Sequence, residues 1–127
     1  MNNSTSEKVI EDILTTDKSI IAEILSVSFS DLSLIARQRI IPSGKLDMLY
    51  LYKDEVLLIE LKAVPFYKEV ITQINNYEKD LIELQSQNKL IKAGIRKIIV
   101  ATGAKDIDYK LCRENRIDLV VYNPEVV

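Results

Sequence analysis

Apolar positions at the start of the chain recur in steps of three and four. Val9, Ile10, Ile13 and Leu14 form one such stripe, and Ile20, Ile21, Ile24 and Leu25 form a second. That spacing predicts amphipathic helix, interrupted at Thr15-Thr16-Asp17-Lys18 and opened by a capping-box pattern from Ser4 to Glu7. After Ser28-Phe29-Ser30-Asp31 the pattern changes. "LIARQRII", "LDMLYLY" and "EVLLIELKA" read as three strands. Pro42-Ser43-Gly44 separates the first two, and Lys53-Asp54 forms a tight turn between the second and third. From Pro65 onward, Phe66, Val70, Ile74, Tyr77, Leu81 and Leu84 fall on one face of a long helix. "IRKIIVATG" is a buried strand, residues 105–115 a short polar helix, and "IDLVVY" a last strand stopped by Asn123-Pro124. The order is a helix that is either split or continuous, then β, β, β, α, β, α, β. It predicts an α/β fold: an antiparallel meander followed by helical crossovers into further strands, giving a mixed central sheet flanked by helices.

Composition narrows the chemistry. The 127 residues read as one domain, 1–127, and the 47% hydrophobic content is enough for a core without staples. No apolar run reaches the length of a membrane helix and the N-terminus does not resemble a signal peptide, so a soluble cytoplasmic protein is expected. Cys112 is the only cysteine and there is no histidine. This excludes an internal disulfide, the usual triads and most zinc sites. Catalysis here would rest on carboxylates, lysines, tyrosines or hydroxyls with a hard metal. The formal charge of −2 argues against a stand-alone, high-affinity nucleic-acid binder, yet leaves room for an enzyme that meets nucleic acid through a metal or a local basic patch.

The strands carry charges that need explaining. Period-two counting puts Asp47 on one face with Leu49 and Leu51, and Glu60 and Lys62 on one face with Val56 and Leu58. The third strand is apolar on both faces, which predicts a central position. A two-residue loop at Lys53-Asp54 pairs Tyr52 with Glu55 and brings Asp47 opposite Glu60. A three-residue loop would send the two acids to opposite faces. Opposed carboxylates about 4.5–5.5 Å apart repel, so a proton, Lys62 or a bridging divalent cation would have to relieve them. A slipped hairpin with all three groups solvated at a strand end is the alternative. Arg37 and Arg39 are expected on one face of the first strand, as phosphate contacts or as a solvated edge. Met48, Tyr50 and Tyr52 are expected to pack in the core.

Gly44-Lys45-Leu46-Asp47, followed after twelve residues by Glu60-Leu61-Lys62, resembles the PD-(D/E)XK nuclease superfamily, whose restriction-endonuclease-like core has the order αβββαβ. "QINNY", Gln73 to Tyr77, resembles the Q-x-x-x-Y motif of RecB-type nuclease domains. "RKIIVATG", the short helix and "IDLVVY" are similar to the end of the NucS-like endonuclease domain. The resemblance implies a metal-dependent DNA nuclease, endonucleolytic rather than exonucleolytic, with Asp47, Glu60 and Lys62 as catalytic residues. It implies Mg²⁺ or Mn²⁺ held by Asp47, Glu60 and the Leu61 backbone carbonyl. A glutamate of the first helix would join them: Glu7 or Glu11, with Glu23 a weaker candidate. Gln73, Tyr77, Gly44 and Lys45 would support the site or touch substrate.

NucS-like relatives usually carry a separate DNA-binding domain, whereas these residues read as the nuclease domain alone. DNA is the expected partner, with a two-fold homodimer bringing two sites to paired strands. The competing reading is a nuclease-fold module without activity that serves in nucleic-acid binding or protein assembly. A plain structural α/β domain without a site is the third.

Overall fold

The computed structural model describes residues 3–123, with side-chain burial from Glu7 onward. The Ser4 side chain and Pro124, read from the sequence as a helix cap and a strand stop, lie outside the described residues. The N-terminal helix is split, as α1 (Asn3–Thr16) and α2 (Lys18–Leu25). The break is at Asp17, whose extended backbone and side chain cap α2 by accepting from Ser19 N at 3.0 Å. A 3₁₀ turn at Phe29–Asp31 leads into the meander β1 (Leu32–Ile41), β2 (Gly44–Tyr52) and β3 (Glu55–Leu61). Then follow α3 (Glu69–Ser86), β4 (Gly94–Ala101), α4 (Asp106–Glu114) and β5 (Ile117–Val121).

One five-stranded sheet has the order β1-β2-β3-β4-β5. The meander is antiparallel, and β4 and β5 run parallel to β3. β3 is therefore central, and every residue from Val56 to Leu61 is buried, which explains why Val56 to Ile59 are apolar on both faces. Its two faces feed two cores. Val56 and Leu58 pack with Val70, Ile74 and Leu81 of α3 and Cys112 of α4. Leu57, Ile59 and Leu61 pack with Leu14 of α1 and Ile21 and Leu25 of α2. Met48 and Tyr50 are buried in that second core, and Tyr52 packs partly against it. Among the described residues no helix is long and apolar enough to cross a membrane.

The long helix begins at Glu69 rather than at Pro65. Phe66 still enters the core, but from the irregular segment before the helix. Its N–H donates to Gly103 O at 2.9 Å, and Thr102 N donates to Val64 O at 3.1 Å. Pairing with the chain beyond β4 thus satisfies the backbone that a helical turn would otherwise have used.

One charge is buried between sheet and helix. Lys97 of β4 is only 8% exposed. Its Nζ donates to Asn75 Oδ1 at 2.8 Å and to Asn115 O at 3.0 Å, and lies 3.3 Å from Glu78 Oε1. The ammonium thereby joins α3, β4 and the end of α4. Removing it leaves an acceptor set without a donor. Lys97→Ala should lower stability by about 1–3 kcal/mol, read as a reduced urea midpoint with an unchanged slope.

Candidate active site

The Lys53-Asp54 loop has two residues, with Lys53 taking the positive φ of 55° that glycine more often supplies in such turns. The register pairs Tyr52 with Glu55, Leu51 with Val56 and Met48 with Ile59, so Asp47 comes next beside Glu60. At that point the ladder gives way to a side chain: Asp47 Oδ2 accepts from Leu61 N at 2.7 Å. Glu60 is 2% exposed, and its Oε1 has no hydrogen-bond partner among the described residues. Its Oε2 lies 3.3 Å from Lys62 Nζ. The acid pair and the lysine are thus brought together at one end of the central strands.

Burial and the neighbouring Asp47 charge push the Glu60 carboxyl up to about 9, against which the opposing pull of Lys62 is smaller. With a proton on Glu60, Asp47 can serve as its acceptor, which is one of the three ways such a pair can be relieved. For Lys62, burial works against the charge. Glu60, Tyr67 and Glu7 outweigh it, so the ammonium is held above its ordinary range.

The long helix α3 holds the strand that carries Asp47. Tyr77 OH donates to Lys45 O at 3.1 Å and accepts from Gln73 Nε2 at 3.0 Å. One turn further on, Asp80 Oδ2 accepts from Ser43 N at 2.7 Å. Gly44 sits between these anchors with φ 147°, and a Cβ there would stand 3.1 Å from the Tyr77 hydroxyl. The backbone angle therefore calls for glycine, and a Cβ would also press on the Tyr77 hydroxyl. Gln73 and Tyr77 thus fix the backbone two residues before Asp47, and Tyr77 itself is buried.

On the other side, α1 closes a cleft of about 440 Å³ lined by Glu7, Lys8, Glu11, Gln38, Lys45, Asp47 and Leu61. Glu11 is buried, with Oε2 2.6 Å from Arg37 Nη2 and Oε1 accepting from Gln38 Nε2. Arg37 also reaches Asp12 at 2.9 Å. Glu7 is less engaged: Ala63 N approaches its Oε1 at 3.5 Å. Glu23 lies exposed on α2 and does not line the cleft. Among the described residues no group of three acidic, histidine or cysteine side chains forms a metal cage.

Arg37 and Arg39 do not share a face. Arg37 turns to α1, whereas Arg39 lines a groove with Leu46, Leu49 and Leu81. The cause is Gln38, whose φ of 52° breaks the alternation of β1. The partner strand follows: Leu46, opposite Arg39, joins the α3-side core together with Leu49, while Met48, opposite Arg37, joins the other. Gln38 and Asp80 were not singled out from the sequence. The signal available for Gln38 was a neutral polar residue between two arginines in an apolar strand.

The fold is similar to that of a repair endonuclease from Pyrococcus abyssi, with a TM-score of 0.66 and 19% identity over 98% of this chain and 49% of that one. It is also similar to EndoMS in a dsDNA complex (TM-score 0.63, 20% identity, 87% of this chain and 44% of that one). A third similar structure is EndoMS in apo form (TM-score 0.59, 18% identity, 86% and 45%). The chain spans about half the length of these structures. No protein-family model matches the sequence, and no curated protein matches it. The likeness establishes the fold, a mixed sheet with flanking helices like that of NucS-like nucleases, as the sequence predicts.

Glu60 makes stability depend on pH. Its unfolded value is near 4.5 and its folded value about 9. Between those limits the folded chain holds a proton that the unfolded chain releases, so stability falls as pH rises. In ion-free buffer the melting temperature should drop across this window as the unfolding free energy falls by at most about 1.4 kcal/mol per pH unit. Glu60→Gln should flatten most of that slope.

Proposed function

We propose that this chain is a metal-dependent DNA nuclease domain that hydrolyses phosphodiester bonds endonucleolytically. The observation that carries the reading is the acid pair: Asp47 beside Glu60, whose buried Oε1 lacks a partner, with Lys62 Nζ 3.3 Å away. The fold likeness to a repair endonuclease and to EndoMS with dsDNA supports it.

The donor set fits a hard divalent cation. It is all oxygen, and Mg²⁺ is commonly held by one or two carboxylates while keeping several waters, so a three-acid cage is not required. Asp47, Glu60 and the Leu61 carbonyl would hold Mg²⁺ or Mn²⁺. Glu7 is better placed than Glu11 to add to them, because Gln38 and Arg37 already engage both oxygens of Glu11. Such an ion, when bound, supplies Lewis-acid polarisation of the phosphate and activation of water.

The remaining work falls to the chain. Lys62 keeps its proton. That disfavours it as a general base and suits it to stabilise negative charge growing on the phosphate. Tyr67 stands beside it, with the ammonium 6.0 Å from the ring centre. Lys45 is exposed on the cleft rim, where it can meet a neighbouring phosphate. Gln73 and Tyr77 act through the Lys45 backbone to keep Asp47 in register. Self-association as a two-fold pair belongs to the same reading, since a cleft of this size offers few contacts to a duplex.

A second reading, a nuclease-fold module without activity that binds nucleic acid or assembles with protein, is favoured by the net charge of −2. Cleavage separates the two. With Mn²⁺ or Mg²⁺, single-stranded, duplex or branched DNA should be cut. Asp47→Ala should abolish the cutting, and Lys62→Ala should slow it on the order of 10²–10³-fold. Cleavage that survives both substitutions rules out this site. In a separate thermal-shift titration the wild-type chain should gain stability with Mn²⁺ by mass action, and Glu60→Ala should lose the gain.

A further inference from the structure

Gln38 is the seventh residue of the ten-residue β1, yet its backbone is left-handed, with φ 52°. A residue with a Cβ is disfavoured there. A strand that needed only a bulge would serve itself with glycine or asparagine. What a glutamine adds is its side chain. The Gln38 carboxamide donates to Glu11 Oε1, and the same Nε2 lies 3.5 Å from Asp47 Oδ1. One group thus touches the helix that closes the cleft and the acid at its base. β1 is an edge strand, and its register with β2 is the same on both sides of Gln38, with Arg37 opposite Met48 and Arg39 opposite Leu46.

We infer that Gln38 is a positioning residue, held in an unfavourable backbone conformation so that its carboxamide ties Glu11 of α1 to Asp47 and sets the mouth of the acid pair. It rests on the reading of the cleft as a divalent-cation site. Arg37 secures the other Glu11 oxygen at 2.6 Å, from a strand whose register against β2 has already shifted between Leu34 and Ala36. The two neighbours therefore clamp one buried carboxylate from both sides. Glu11 then acts as a fixed post for the cleft, and Asp47 is restrained by two donors, Leu61 N on Oδ2 and Gln38 on Oδ1. Partners of this kind, lying outside the ligands themselves, typically change metal affinity by about 10–100-fold when removed.

Strain held for a purpose has a signature that ordinary packing lacks: relieving it leaves the fold intact and weakens the site. Gln38→Gly accepts the backbone angle and removes the carboxamide. Gln38→Asn also tolerates the angle, but its amide is one methylene too short to bridge both acids. The full chain and both variants would be melted in EDTA and then titrated with Mn²⁺ alone. In EDTA, Gln38→Gly should melt at or slightly above the wild-type temperature. With Mn²⁺, both variants should bind about 10-fold more weakly, read from the concentration at which the melting temperature begins to rise.

Unchanged Mn²⁺ affinity in Gln38→Gly overturns the inference. So does a melting temperature well below wild type in EDTA, which would make Gln38 a plain packing residue. The cation-site reading fails differently: the wild-type chain would gain nothing from Mn²⁺, or Glu60→Ala would gain as much as wild type.

Discussion

The structure turns on the repulsion between two acids that the sheet places side by side. Asp47 and Glu60 sit where the β2–β3 ladder ends, and the second is almost wholly removed from water. Carboxylates so placed are expensive unless a proton or a cation offsets them. Everything nearby either restrains them or compensates them. Leu61 N takes one oxygen of Asp47, and Lys62 faces one oxygen of Glu60. A fold under no functional demand would fill the same volume with leucine.

Two helices hold the pair from opposite sides of the sheet. α3 grips the backbone of Ser43 and Lys45 through Asp80 and Tyr77, around a glycine whose φ of 147° would strain any other residue. α1 presents Glu11 to Arg37 and Gln38. The anchoring is polar and local, whereas the bulk of the stability comes from the two apolar cores on either face of β3. Tyr77 belongs to both, as a core residue and an anchor of the site, whereas Asp80, Arg37 and Gln38 serve only the anchoring.

Much of this was legible in the sequence. Period-two patterning and the tight turn identified the meander and its register, and helical periodicity identified α3 and the break at Asp17. The G-K-L-D and E-L-K stretches drew attention to the end of the strands where the acids meet. Three features were hidden for physical reasons. Phe66 looked helical because it carries the right apolar spacing, but its backbone is engaged by Gly103. Arg37 and Arg39 looked cofacial because counting assumes regular alternation, and a left-handed residue between them removes it. The choice between Glu7 and Glu11 depends on tertiary partners from β1, which no local pattern encodes.

The acids also meet early in the life of the chain. They are thirteen positions apart along one hairpin with a two-residue loop, so little entropy is lost in bringing them together. The crossover through α3 and the parallel strand beyond it demand far longer excursions. The β2–β3 ribbon therefore confronts like-charge repulsion as it closes. Acidic conditions would ease that closure by protonating one of the acids, which makes pH a determinant of how readily the ribbon forms.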